Sequence, residues 1–266
     1  MTPSAWLGAA VLAVLLVLVL AGPVLAPYDP TAFHAASRLQ GPSPAFPLGT
    51  DQFGRDLLSR ILHGAPATVG FGLGAATLGA AGGAVLGITS AYLGGWVDTL
   101  AMRATDALIS VPELLLALII VTVLGRSGLH AMLAVALAFL PGMARVARSA
   151  TLSVRTSDYV LHARATGESV PWIVGRELLP NVAGPILVEA TIRVAFAVML
   201  GATLSFLGLG AQPPSSEWGL MIAEARQYMF RNPWMVAAPG AAIALVAIGF
   251  NLGGDALRDR LNPGLR

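Results

Sequence analysis

The sequence predicts an all-α, polytopic membrane protein: six transmembrane helices, with a helix–turn–helix loop hung between the fourth and the fifth. Three observations carry this. Hydrophobic residues make up 56% of the 266 and charged residues only 11%, with a mean hydropathy of +0.74, whereas a soluble domain carries about 25% charge. Apolar runs recur at lengths suited to the roughly 20 residues that cross a bilayer. The longest polar interruption in the C-terminal two-thirds, residues 157–181, carries capping residues and a glycine spaced for two short helices.

The first span is 5–26, AWLGAAVLAVLLVLVLAGPVLA, which holds no charge. The length of this run, with no basic cluster before it, favours a retained span over a cleaved signal peptide. Residues 27–65 follow as a proline-rich polar connection. In its second half, LGTDQFGRDLLSRILHGA, Thr50 or Asp51 can cap a short helix with Leu57, Leu58, Ile61 and Leu62 on one face. That pattern suits a helix lying in the membrane interface. Asp51 and Asp56 could also be imagined as metal ligands, but with only His63 nearby each has a better local role as a cap or ion-pair partner.

Residues 66–93 form the second span, with small residues four apart (Gly70/Gly74, Gly79/Gly83/Gly87) that let helices approach closely in lipid. Gly94-Gly95 makes a turn, and Asp98, Arg103 and Asp106 mark a polar edge before the third span at 107–124. The fourth span is 129–147 with a kink at Pro141-Gly142, the fifth 182–209 and the sixth 235–254. Between the last two, 211–234 places Trp218, Met221, Ile222 and Tyr228 along one side of a short helix.

Within 157–181 (SDYVLHARATGESVPWIVGRELLPN), Ser157 can cap the first helix and Gly167 fits the left-handed position that ends it. Ser169 can cap the second, with Pro171 tolerated in its first turn. Val170, Ile173, Val174 and Leu178 then form an apolar stripe, and Leu179-Pro180 closes the element. A compact helical pair with an apolar stripe suits docking to a soluble partner.

Composition excludes several chemistries. There is no cysteine, which removes disulfides, iron–sulfur clusters and cysteine-ligated zinc. All 16 Lys+Arg positions are arginine. A phosphate-binding P-loop needs a Gly-Lys pair, so the chain carries no standard one, and ATP used in its work must be hydrolysed elsewhere. A net charge of +2, with arginines scattered near span ends, argues against a nucleic-acid partner. His34, His63, His130 and His162 all fall in loops, which leaves an intramembrane Ser–His protease without its base.

Nine arginines flank loops on the side of the termini (Arg103, Arg145, Arg148, Arg155, Arg164, Arg176, Arg258, Arg260, Arg266) and six the other side (Arg38, Arg55, Arg60, Arg126, Arg226, Arg231). The excess predicts that both termini and the 157–181 loop are cytoplasmic. Within the membrane, Glu189 and Arg193 stand at i, i+4 and can pair. Buried ionisable groups of this kind either line a substrate pathway or satisfy each other at an interface. Glu113 lies close enough to the surface to snorkel.

Four phrases, in order, resemble one family. Ala163, Gly167, Leu179 and Pro180 match the spacing of the cytoplasmic "EAA" loop of bacterial ABC-importer permeases, with departures at Leu161, His162 and Glu177. GTDxxGRDxxSRxxxG before the second span, GGWxDxxxMRxxDxxxSxPxLLLA before the third, and the C-terminal run ending near Asn262-Pro263 are similar to the dipeptide/oligopeptide/nickel subfamily. The resemblance implies the type I importer permease fold in a bacterial cytoplasmic (inner) membrane. It divides the chain into 1–65, an N-terminal span plus extracytoplasmic connection, and 66–266, a five-span core.

It further implies one of two homologous permease subunits, surrounded by lipid and bound to two cytoplasmic ATPases through Tyr159, Ala163, Gly167, Ile173, Leu179 and Pro180. Substrate would arrive from an extracytoplasmic binding protein, most naturally di- or oligopeptides and alternatively nickel or another small solute. The chain itself would be no enzyme and hold no cofactor or metal, with ATP and Mg on the partner ATPases. The rival class is an ion-coupled secondary transporter working through Glu189, which would leave the docking loop unexplained.

Overall fold

The computed structural model describes residues 3–261, and among these every regular element is helical. Five helices are long and apolar enough to cross a bilayer: α1 (Pro3–Leu25), α2 (Leu57–Leu93), α5 (Gly128–Val154), a segment Val170–Phe206, and α10 (Trp234–Leu261). The pair α3 (Gly95–Ile109) and α4 (Glu113–Leu124) supplies the sixth crossing when taken as one broken span.

Helix α2 is the axis of the bundle. Its N-terminal third packs with Trp218, Met221 and Met235, its middle with Phe139 and Ala197, and its C-terminal third with Met143, Ile173 and Leu178. The small-residue register works over Gly79, Gly83 and Gly87, whereas nothing lies within 4 Å of the place a Cβ on Gly70 would occupy. A Cβ on Gly83 would lie 2.4 Å from Met143 Cβ, and one on Gly87 would lie 2.2 Å from Ala144 O, so only hydrogen at these positions lets α2 and α5 meet.

Four expectations need correction. First, the interfacial helix over 48–65 does not exist as a separate element. The helix starts at Leu57, where Asp56 accepts from Ser59 N (2.8 Å) and Ser59 Oγ (2.6 Å), and it continues through all 37 residues of α2. Position 65 therefore falls inside one helix. The stripe Leu57 and Ile61 is buried against α9 (Trp218–Ala225) rather than lipid. Second, the third span does not run unbroken over 107–124. Ser110-Val111-Pro112 breaks it, and α3 and α4 meet at 93°. Proline 112 disfavours helical backbone at the residue before it, and α4 restarts at Glu113.

Third, Leu179-Pro180 does not end the coupling element. The chain passes from α7 (Val170–Trp172) through a π-helical stretch, Ile173–Leu178, into α8 (Leu179–Phe206). The widened turn, with Leu179 N bonded to Val174 O, gives room for the Pro180 ring that an α-turn would crowd. Asn181 Nδ2 then donates to Glu177 O (2.6 Å), so the irregular turn keeps a partner for that carbonyl. Fourth, the helix of the sixth span does not end at 254 but runs to Leu261; Asn262–Arg266, with the Asn262-Pro263 phrase, lie outside the described residues.

At the end of the bundle where α2 begins, a buried ionic cluster ties loops together. Asp51 (1% exposed) accepts from Arg55 Nε (2.5 Å) and Arg60 Nη1 (2.8 Å), and both guanidiniums also reach Glu224 Oε2 (2.9 and 3.1 Å). The expected local roles of the two aspartates hold: Asp51 is an ion-pair partner and Asp56 a cap. Asn232 Nδ2 adds bonds to Gln40 O and Thr50 O, each 3.0 Å.

Candidate functional site: the coupling element and the intramembrane charge triad

The loop at the opposite end is built around one glycine. Helix α6 (Asp158–Ala165) ends at Thr166, and Gly167 follows at φ +81°. Gly167 N donates to Arg164 O (3.2 Å) and Glu168 N to Ala163 O (3.1 Å), the paired bonds by which a left-handed residue closes a helix. Ser157 and Ser169 occupy the cap positions as expected, with extended backbone, but neither side chain makes a capping bond.

Three members of the predicted stripe, Ile173, Val174 and Leu178, pack on the bundle, and Val170 alone is exposed. Ile173 and Leu178 are buried, together with Val160 and Ala163, against Ala84 and Ile88 of α2 and Met143 and Ala147 of α5. Ile173 and Ala163 thus anchor the loop to the bundle and offer no docking surface. Tyr159 and Leu161, on the two flanks of the buried Val160 on α6, and Val170 and Leu179 are exposed large hydrophobics, and Gly167 and Pro180 are exposed as well. Leu161 and His162, two of the departures from the family phrase, are exposed, and Glu177 is half-buried.

Two arginines moor the element. Arg155 Nη1 donates to Ala91 O (3.0 Å) near the C-terminus of α2, where helix carbonyls lack internal partners, and the Arg164 guanidinium stands 5.8 Å from the Tyr92 ring centroid. Alongside, α3 is clamped to α5 by Arg148, whose Nε and Nη2 each reach Asp98 at 2.7 Å. Helices α6 and α7 are thus packed directly against the ends of α2, α5 and α8.

Arg193 and Glu189 do pair, Nε to Oε1 at 2.9 Å. The sequence missed the third member. Arg193 Nη1 also donates to Glu113 Oε1 (2.5 Å), the first residue of α4 after the break. The guanidinium lies 5.0 Å from the Phe139 ring centroid and close enough to Gly142 that a Cβ there would sit 2.9 Å from Nη2. Glu113 is thus no mere snorkelling residue: α4, α5 and α8 converge on one cation, at the middle of α8. The available signal was Pro112, which breaks the apolar run and sets Glu113 at the first position of α4.

Among the described residues no group of three or more His, Asp or Glu side chains is placed to hold a metal ion.

Residues 83–266 match the family described as binding-protein-dependent transport system inner membrane component, and residues 2–42 match the N-terminal TM domain of oligopeptide transport permease C. The chain is 40% identical over 262 residues to a probable D,D-dipeptide transport system permease protein of Escherichia coli K12, covering 98% of this chain and 88% of that protein. It is 41% identical over 233 residues to a dipeptide transport system permease protein of Alkalihalophilus pseudofirmus (88% and 77% covered). Against a glutathione transport system permease protein of Pectobacterium atrosepticum it is 40% identical over 243 residues (91% and 81% covered).

Proposed function

We propose, because this chain belongs to the family of binding-protein-dependent transport system inner membrane components, that it forms half of the path of an ATP-driven importer for di- or oligopeptides. The single observation that carries the coupling role is the packing of the loop. Its inner residues are locked into the ends of α2, α5 and α8, and Tyr159, Leu161, Val170 and Leu179 stay exposed around the rest of the element. The peptide class is supported by the substrates in the names of the relatives. In this assembly a second, homologous permease completes the path, two ATPases grip the coupling loops and hydrolyse ATP, and an extracytoplasmic binding protein delivers the substrate.

The loop 155–178 and the end of α10 are assigned to the cytoplasm, in line with the arginine bias, and the connections 26–56 and 207–233 to the other side. A chain with no cysteine makes this easy to test. An Ala36→Cys variant in intact cells is expected to react with a membrane-impermeant thiol reagent and Ala165→Cys to stay unlabelled. The reverse pattern inverts the assignment.

The coupling role is tested at Gly167. Nothing lies within 4 Å of the place its Cβ would occupy, so valine there meets no clash and is penalised only by its φ of +81°. That strain is about 1–3 kcal/mol, enough to shift α6 relative to α7 without touching the spans. Gly167→Val is expected to insert normally, to lose most co-purifying ATPase, and to lose binding-protein-stimulated ATP hydrolysis in proteoliposomes. Full stimulation in the variant would remove the loop from coupling.

A further inference from the structure

A cavity of about 390 Å³ opens between α2, α5 and α8, at the end of the bundle opposite the coupling loop. Phe71, Leu129 and Met132 form its apolar wall, and Ser205, Gln212 and Glu217 its polar one. Such a volume, apolar with a few convergent polar groups, is that of a small-ligand site.

Glu217 is the unusual member. It is 7% exposed, yet no basic side chain among the described residues lies within ion-pair distance of it. Its Oε1 accepts from Gly219 N and its Oε2 from Leu220 N, both at 2.9 Å, with Ser205 as a further donor. Arg60, whose Nη2 donates to Ser215 O two residues away, is already held by Asp51 and Glu224. Burial pushes the Glu217 carboxyl above the usual range, and the backbone donors at the start of α9 pull it back towards the charged form. Glu217 therefore stands at a cavity wall with no cation to match it among the described residues; Asp51, at the same end, is held by two arginines, whereas Asp56, the cap of α2, also has none but does not line the cavity.

We infer that this cavity receives a primary ammonium group, the amino terminus of a peptide, against the Glu217 carboxylate, with Phe71, Leu129 and Met132 taking the adjoining side chain. The assignment rests on the importer proposal and adds to it a substrate contact at the extracytoplasmic mouth of the path.

The test uses the assembled importer with Gln212→Cys as the only cysteine of this chain. The rates of modification by aminoethyl and sulfonatoethyl methanethiosulfonate are compared, each divided by its rate with a free thiol. The cationic reagent is expected to be favoured on the order of tenfold, the effect of one partly screened charge at close range. Glu217→Gln should bring the ratio to about one, and Glu217→Asp should keep most of it. A dipeptide with a free amino terminus should slow the cationic reagent, while its N-acetylated form should not.

A ratio near one in the unaltered chain, or one unmoved by Glu217→Gln, would leave Glu217 as nothing more than the cap of α9. Protection by potassium chloride equal to that by the dipeptide would make the site one for any monovalent cation and overturn the peptide assignment. Binding-protein-stimulated ATP hydrolysis, measured on the same preparation, is the separate gauge of the importer proposal: its absence would sink that proposal while the labelling ratio stood.

Discussion

Replacing Arg60 by methionine is expected to unfold the end of the bundle formed by residues 37–56 and α9. Arg60 is 2% exposed and stands between two carboxylates, Asp51 and Glu224, contributed by segments far apart in the chain. With it gone, Arg55 alone faces both, and the buried cluster acquires a net negative charge. Breaking a buried pair in this way costs about 3–5 kcal/mol, because the stranded charge keeps its desolvation penalty and loses its partner. The contrast is Arg145→Met, whose pair with Asp106 is 55% and 61% exposed and is worth under about 1 kcal/mol. In detergent, the melting temperature of the importer complex should fall by many degrees for Arg60→Met and stay within error for Arg145→Met. Adding Asp51→Asn to Arg60→Met should recover part of the loss, since the remaining Arg55–Glu224 pair is then balanced. Equal melting of Arg60→Met and the unaltered chain would show the cluster to be incidental.

The cluster also shows where sequence reasoning stops. Asp51 and Arg55 are neighbours along the chain, but Glu224 is 164 residues from Arg60. Without that partner, a leucine stripe flanked by arginines looks like a helix lying on lipid headgroups. With it, the arginines turn inward and the stripe finds Trp218, whose Nε1 donates to Ile61 O at 3.1 Å. Local grammar was readable wherever the answer was local. Asp56 caps α2, Gly94 and Gly95 take left-handed backbone (φ 68° and 56°), and Gly167 does the same.

The coupling loop was half legible for a related reason. Periodicity showed that Val170, Ile173, Val174 and Leu178 share a face, but a stripe does not say which neighbour it meets. In the structure Ile173, Val174 and Leu178 are spent on the bundle, and the large apolar side chains left exposed include Tyr159 and Leu161, on either flank of α6. From sequence, Pro180 reads as a terminator because an α-turn excludes it. The π-helical turn before it is a different solution to the same steric problem, and nothing in local composition distinguishes the two.

The largest effect inside the membrane is expected at Arg193. Its guanidinium is the only positive member of the triad with Glu113 and Glu189, whose side chains are 41% and 30% exposed against 18% for Arg193. Arg193→Met leaves the Glu113 and Glu189 carboxylates, on α4 and α8, without their shared cation, at a cost of roughly 2–4 kcal/mol after allowing for their partial exposure. Removing one carboxylate is a milder change. Glu189→Gln keeps the Glu113 pair and brings the remaining charges into balance, so the loss should be about 1 kcal/mol or less. Glu113→Gln should fall between, because it also unties the first turn of α4, where a carboxylate is favoured by the helix dipole. Replacing Arg193 and Glu189 together does not restore neutrality, since Glu113 is stranded; only the triple replacement, Arg193→Met with both carboxylates made glutamine, should regain most of the melting temperature. Uptake of labelled dipeptide in proteoliposomes then separates a structural tie from a piece of the path. Near-normal uptake by the triple variant would make the triad a brace that holds the broken span against α5 and α8. Assembly with full melting temperature but no uptake would place these charges on the route of the substrate instead. If Arg193→Met alone melted like the unaltered chain, the ionic tie would carry no weight and the convergence of α4, α5 and α8 would rest on Phe139 and its apolar neighbours.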